Sequence, residues 1–247
     1  MLHAHLIDTR QFCGNGADYC GSCCQNGPCL IALGPAPTLR PEPSVKPSLQ
    51  PTAKATTTSA CTTSFTIETY DSIDADIAML KESITDDEAR AHFLGGIVRL
   101  AAHDFMDFNP TLSVPMGSDG CFDTAHPNNA GLETIWCDDC DLSVLHRAKY
   151  SHISRADFWV ASANAIIRQT SVGNALDLID TFRWGRIDAA SCSGSGDRLP
   201  TPARCRRVER VFLDNMGLSW RDTVALLGAH TLGRGSRAVS STFIQQP

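Results

Sequence analysis

Two segments of this 247-residue chain place histidines where they could do chemistry: Val98-Arg-Leu-Ala-Ala-His-Asp104 and Leu226-Leu-Gly-Ala-His-Thr-Leu-Gly-Arg234. Arg99 and His103 are four residues apart, so on a helix they project from one face, a turn apart, as a cation beside a proton shuttle. His230 closes the apolar run Thr223-Val-Ala-Leu-Leu-Gly-Ala, where an imidazole reaching from a helix could ligate a metal. Taken singly, each histidine is more often a satisfied structural residue, so the elements around them decide.

Those elements read as helices. Thr85-Asp-Asp-Glu88 fits a capping box and opens a pattern through Ala91, Phe93, Leu94, Ile97, Val98 and Leu100 to His103. Ser154-Arg-Ala-Asp157 opens a second helix through Phe158, Trp159, Val160, Ala163, Ile166 and Ile167. Ser219-Trp-Arg-Asp222 opens a third through Val224, Leu226 and Leu227. Nothing alternates with period two for long enough to argue for a substantial sheet, so the body is expected to be all-α.

The composition bounds what this body is part of. A hydrophobic fraction of 43% supports a real core, and a net charge of -6 gives no electrostatic reason for nucleic acid or an anionic membrane as partner. No apolar run approaches membrane-spanning length. Residues 34–64 hold six Pro, seven Thr and four Ser with four charged side chains, and read as an extended linker. It separates a cysteine-rich head, residues 11–29, from a body at 65–247. Eleven cysteines, five of them between Cys13 and Cys29, suit an oxidising compartment, although the N-terminus lacks a secretory signal. The expectation is a secreted, extracellular or cell-wall protein whose N-terminus is incomplete in this sequence. Cys137-Asp-Asp-Cys140 has zinc-knuckle spacing but no matching second pair, which favours a disulfide or two thiols over zinc.

A haem site for peroxide needs one neutral imidazole on the iron and, on the opposite face, a base with a cation nearby. His230, His103 and Arg99 are the right types. The chain resembles the haem peroxidase superfamily that includes plant, fungal and ascorbate peroxidases, through an ordered series of motifs. Arg99-Leu-Ala-Ala-His-Asp104 is similar to the distal helix, and Gly117-Ser-Asp-Gly-Cys121 to the loop after it. His126-Pro-Asn-Asn-Ala-Gly-Leu132 resembles the segment whose asparagine orients the distal histidine. Ser154-Arg-Ala-Asp-Phe158, Gly185-Arg-Ile-Asp188 and Leu199-Pro-Thr-Pro202 follow in the family's order, and Leu227-Gly-Ala-His-Thr-Leu-Gly233 resembles the proximal segment. The match runs over roughly residues 65 to 235.

The resemblance implies a haem b enzyme that reduces hydrogen peroxide and oxidises small donors, most simply phenols. It assigns His103 as acid and base, Arg99 as electrostatic stabiliser, Asn129 as the group orienting His103, and His230 as axial ligand. In secreted members Asp104 and Asp119 correspond to carboxylates that bind a structural calcium, although Cys121 stands where a hydroxyl ligand is expected. On local grounds alone, Asn129 reads equally as a turn residue, and Asp188 as a structural ion-pair or hydrogen-bond partner. Two departures matter. Ala102 replaces the aromatic ring that usually precedes the distal histidine, and no Asp or Glu follows Asp222, where the family places a partner for the proximal histidine. The expectation is a peroxidase domain that is C-terminally incomplete.

Residues 12–29 resemble the second half of a hevein-type chitin-binding module, in which exposed rings stack on N-acetylglucosamine. Phe12 and Tyr19 match two of those rings, and Cys24 and Cys29 match the short C-terminal bridge. The alternative to a chitin-anchored peroxidase is a chitin-binding cell-wall protein whose peroxidase-like body is an inactive scaffold.

Overall fold

The computed structural model describes residues 65–200 and 205–232, with Thr231 described only in its backbone. The cysteine-rich head, the linker and the rings Phe12 and Tyr19 expected to meet chitin lie outside the described residues. Within them the chain is helical and holds no strand. The elements that matter are α1 (Ile67–Ser83), α2 (Asp87–Phe105), α3 (Asp141–Leu145), α4 (Arg155–Thr170), α5 (Ser195–Arg198), α6 (Cys205–Val208) and α7 (Trp220–Leu227). Wider turns extend α3 to Tyr150 and α6 to Asn215, and a tight turn, Gly228–Thr231, follows α7.

Each long helix starts where a short polar side chain can satisfy the orphan N–H groups of its first turn. Ser154 caps α4 by accepting from Asp157 N at 3.0 Å. Ser219 and Asp222 form the full reciprocal box at the start of α7. The cap of α2 is Asp86, accepting from Ala89 N at 2.7 Å, one residue later than the expected Thr85. A carboxylate at this position also complements the helix dipole, which a threonine hydroxyl does not.

α1, α2 and α4 pack into one core. Phe93, Leu94, Ile97 and Leu100 line the inner face of α2, packed in one cluster with Ile73 and Ile77 of α1 and Phe158, Trp159 and Ile166 of α4. Ile97 and Leu100 are fully buried, and each contributes roughly 1.5–3 kcal/mol by leaving water. At its C-terminal end α2 enters a second cluster, in which Phe105 meets Val211, Phe212 and Met216, with Ala102 and Leu226 packed alongside. This second contact brings α7, and with it His230, to the end of α2 that carries His103.

The family-like motifs hold one another. Asp157, from the Ser-Arg-Ala-Asp-Phe segment, pairs with buried Arg186 at 2.8 Å and accepts from Gly185 N at 2.7 Å. Asp188 accepts from Arg155 N and Ala156 N at 3.0 Å each, closing the start of α4 from outside. Asp188 is therefore a structural partner. A buried charge requires such a partner, because leaving either member alone would cost several kcal/mol.

Candidate active site

His103 occupies the last full turn of α2. Its Nδ1 lies 2.8 Å from Asn129 Oδ1. Asn129, 1% exposed, ends the tight turn Pro127–Asn129, and its Nδ2 donates to Asp123 O at 2.8 Å. That bond settles the amide's orientation, because a carbonyl only accepts. Oδ1 is then the atom facing the imidazole, so Nδ1 carries the proton and Nε2 keeps its lone pair. Burial pushes the His103 pKa down to about 4. The Asn129 hydrogen bond opposes this, and the nearby charges of Arg99 and His230 add to it. His103 is thus a neutral base above about pH 4.

Arg99 lies one turn earlier on the same face. Its Nη1 donates to Ala130 O at 2.9 Å and its Nη2 to Asn128 O at 3.0 Å. The guanidinium therefore straddles Asn129 in sequence and clamps the loop that presents it, a task needing the planar fork that lysine lacks. Burial lowers the Arg99 pKa and the Glu133 carboxylate opposes the shift.

His230 sits in the turn after α7 and is exposed. Its Nδ1 is 3.0 Å from Leu227 O, which again fixes the proton on Nδ1 and leaves the Nε2 lone pair free. Both histidines therefore present an unprotonated Nε2, one as a base and one as a candidate metal ligand. An apolar cavity of about 50 Å³ lies between α2, α4 and α7, lined by Val98, Ala102, Val160, Leu226 and Ala229 among others. It is well below the ~300–1,000 Å³ of ordinary ligand pockets.

The carboxylates expected to share calcium are close neighbours. Asp104 is fully buried, with Oδ2 accepting from Gly120 N at 3.1 Å and Oδ1 from Cys121 N at 3.0 Å. Asp119 Oδ1 is buried without a hydrogen-bond partner. Asp107, not singled out in the sequence, joins them: Oδ1 accepts from Gly117 N at 2.8 Å and Oδ2 has no partner. Burial raises all three pKa values, to about 9 for Asp107 and about 7 for Asp119; repulsion adds to it, from Asp119 at Asp104, from Asp104 and Asp119 at Asp107, and from Asp188 at Asp119. Among the described residues no three or more His, Cys, Asp or Glu side chains converge to hold a metal. Cys121, at the position of the missing hydroxyl, is bonded instead to Cys192. Cys137 and Cys140 are joined to each other.

Two further residues shape this site without any motif in the sequence to mark them. Asp123 holds the Asn129 amide, and Ser195 accepts from Asp123 N at 3.0 Å across 72 residues of chain. A backbone carbonyl and a serine this distant leave no spacing signal.

Within this helical body an asparagine holds the imidazole of His103, and His230 lies near enough for its charge to act on that ring. A family model described as peroxidase matches residues 77–246, and the chain belongs to this family, within the haem peroxidase superfamily. It is 31% identical over 172 residues to the mitochondrial cytochrome c peroxidase of Candida albicans, covering 67% of this chain and 44% of that protein. It is 31% identical over 147 residues to the peroxisomal L-ascorbate peroxidase 5 of Arabidopsis thaliana, covering 57% and 48%. To a probable chloroplastic L-ascorbate peroxidase 5 of Oryza sativa it is 39% identical over 100 residues, covering 38% and 29%. The chain spans less than half the length of these relatives.

Proposed function

We propose that this chain carries the peroxide-reducing site of a haem peroxidase. The observation that carries the proposal is the fixed tautomer of His103, a neutral base whose Nδ1–H is held by Asn129 and whose Nε2 is left free. His230 is the residue that would hold the haem, through its free Nε2, and the donor set fits a group that needs one neutral imidazole. Bound haem would supply the iron at which hydrogen peroxide is reduced and from which oxidising equivalents pass to a donor.

The chain's own part is proton movement. His103 Nε2 takes the proton from one peroxide oxygen and returns it to the departing oxygen, so that water leaves rather than hydroxide. Arg99 opposes the negative charge that grows as the oxygen to oxygen bond breaks, while its fork keeps the 128–130 loop in place. Ala102, next to His103 in sequence, presents only a methyl group to the small apolar cavity.

The donor is a small reductant. The earlier resemblance favours a phenol, whereas the relatives' names give cytochrome c and ascorbate as their own donors. Secretion and anchoring to chitin through Phe12 and Tyr19 belong to the same proposal, supported by the cysteine content and by the two disulfides found among the described residues. A structural calcium at Asp104 and Asp119 is supported by the unpartnered Asp119 oxygen. Loading the full chain with haemin tests the function: a Soret band that shifts on adding peroxide supports it. Retention on chitin without any haem spectrum supports an inactive scaffold.

A further inference from the structure

We infer that Ser195 is a positioning residue for His103, acting through Asp123 and Asn129; this rests on the proposed role of His103 as the proton carrier. Three hydrogen bonds run in series. Asp123 N–H donates to Ser195 Oγ at 3.0 Å, Asp123 O accepts from Asn129 Nδ2 at 2.8 Å, and His103 Nδ1 donates to Asn129 Oδ1 at 2.8 Å. Every link depends on the one before. If the backbone at Asp123 turns, its carbonyl leaves Nδ2, and the Asn129 amide loses the partner that aims Oδ1 at the imidazole.

Ser195 is suited to hold that backbone. It is 3% exposed at the first turn of α5, and its own N–H donates to Cys192 O at 3.1 Å. Cys192 is bonded to Cys121, two residues before Asp123, so the serine and the peptide it holds are tied at a second point. A third contact lies alongside, where Asn128 Nδ2 donates to Gly196 O at 3.1 Å. His126 Nε2 and Asp197 Oδ1, 3.2 Å apart, make a further contact between the loop 121–129 and α5. Of the contacts that α5 makes to this loop, the Ser195 hydroxyl is the one that meets Asp123, whose carbonyl also accepts from His126 N at 3.3 Å within the loop.

The test reads the imidazole itself. In the full chain labelled with ¹⁵N-histidine, NMR follows solvent exchange of the His103 Nδ1–H and the tautomer, without haem or peroxide. Ser195→Ala is expected to speed that exchange at least about 10-fold and to mix the two tautomers, the same outcome expected of Asn129→Ala. Ser195→Thr, which keeps the hydroxyl, should preserve the wild-type signals, and Ser195→Val, of the same shape without it, should behave as alanine. This pair decides the matter should the alanine variant fail to fold. Ser143→Ala removes another buried hydroxyl, one that donates to Cys140 O at 2.8 Å, and should leave His103 unchanged. Wild-type exchange in a folded Ser195→Ala or Ser195→Val chain would overturn the assignment, as would an equal gain in Ser143→Ala. An absence of peroxidase activity would leave these signals intact and would count against the function alone.

Discussion

The His103 Nδ1–H is donated to Asn129 Oδ1 across 2.8 Å, and the same amide donates to Asp123 O at 2.8 Å. The pair fixes one tautomer, leaving Nε2 as the sole basic atom of the ring.

Replacing Asn129 with Val removes both bonds while keeping the volume similar. The Asn129 bond favours the imidazolium, so its loss should push the His103 pKa below its value of about 4. It should also free the ring to turn. The reaction of the haemin-loaded chain with peroxide should slow roughly 10–100-fold, the usual cost of removing a group that orients a functional histidine. Stopped-flow absorbance measures it.

The pH profile follows from the same burial. His103 titrates at about 4 in the fold and at 6.5 when unfolded, so the unfolded chain binds the extra proton between these values. Its contribution to stability is present above pH 6.5 and is lost as pH falls toward 4. The peroxide reaction should remain flat from pH 7 to 5 and decline near pH 4. Chemical denaturation of the wild type and of His103→Leu across this window should show the smaller pH dependence in the variant.

The buried carboxylates act with the opposite sign. Asp107 and Asp119 titrate at about 9 and about 7 in the fold, against 3.8 when unfolded, so the fold holds their protons. Their stabilisation is present below pH 3.8 and is lost as pH rises through 7 and 9. Asp107→Asn should raise Tm at pH 8 by about 2–8 °C, corresponding to roughly 1 kcal/mol. Added calcium should raise the wild-type Tm at pH 8 and leave Asp119→Asn unchanged.

Gly196 lies under the His126 ring, where an added Cβ would fall 2.2 Å from Cγ. His126 Nδ1 accepts from Asn128 N at 3.2 Å, so displacing the ring disturbs the turn that carries Asn129. Gly196→Ala should cost about 1–3 kcal/mol, measurable by urea denaturation.

Much of this site was legible in the sequence because its signals are local. A four-residue spacing put Arg99 and His103 on one face, and short polar residues ahead of apolar runs marked α4 and α7. The start of α2 moved by one residue because Thr85-Asp-Asp offers adjacent capping candidates, and the carboxylate of Asp86 won. The clamp made by Arg99 on Ala130 O and Asn128 O was not legible, since its acceptors are backbone atoms and carry no side-chain identity. Asp107 escaped for a different reason. Its significance comes from burial beside Asp104 and Asp119, which only the folded loop creates.

The central claim is that His103 is the proton carrier of a haem peroxidase site. The most direct measurement is the rate of the Soret change when hydrogen peroxide is mixed with the haemin-loaded full chain, compared with the same chain bearing His103→Leu. The account predicts a Soret band in both and a rate lower by about 10²–10⁴ in the variant, the usual contribution of general acid and base catalysis. Equal rates in the two proteins, or a wild-type chain whose bound haem ignores peroxide, would contradict it.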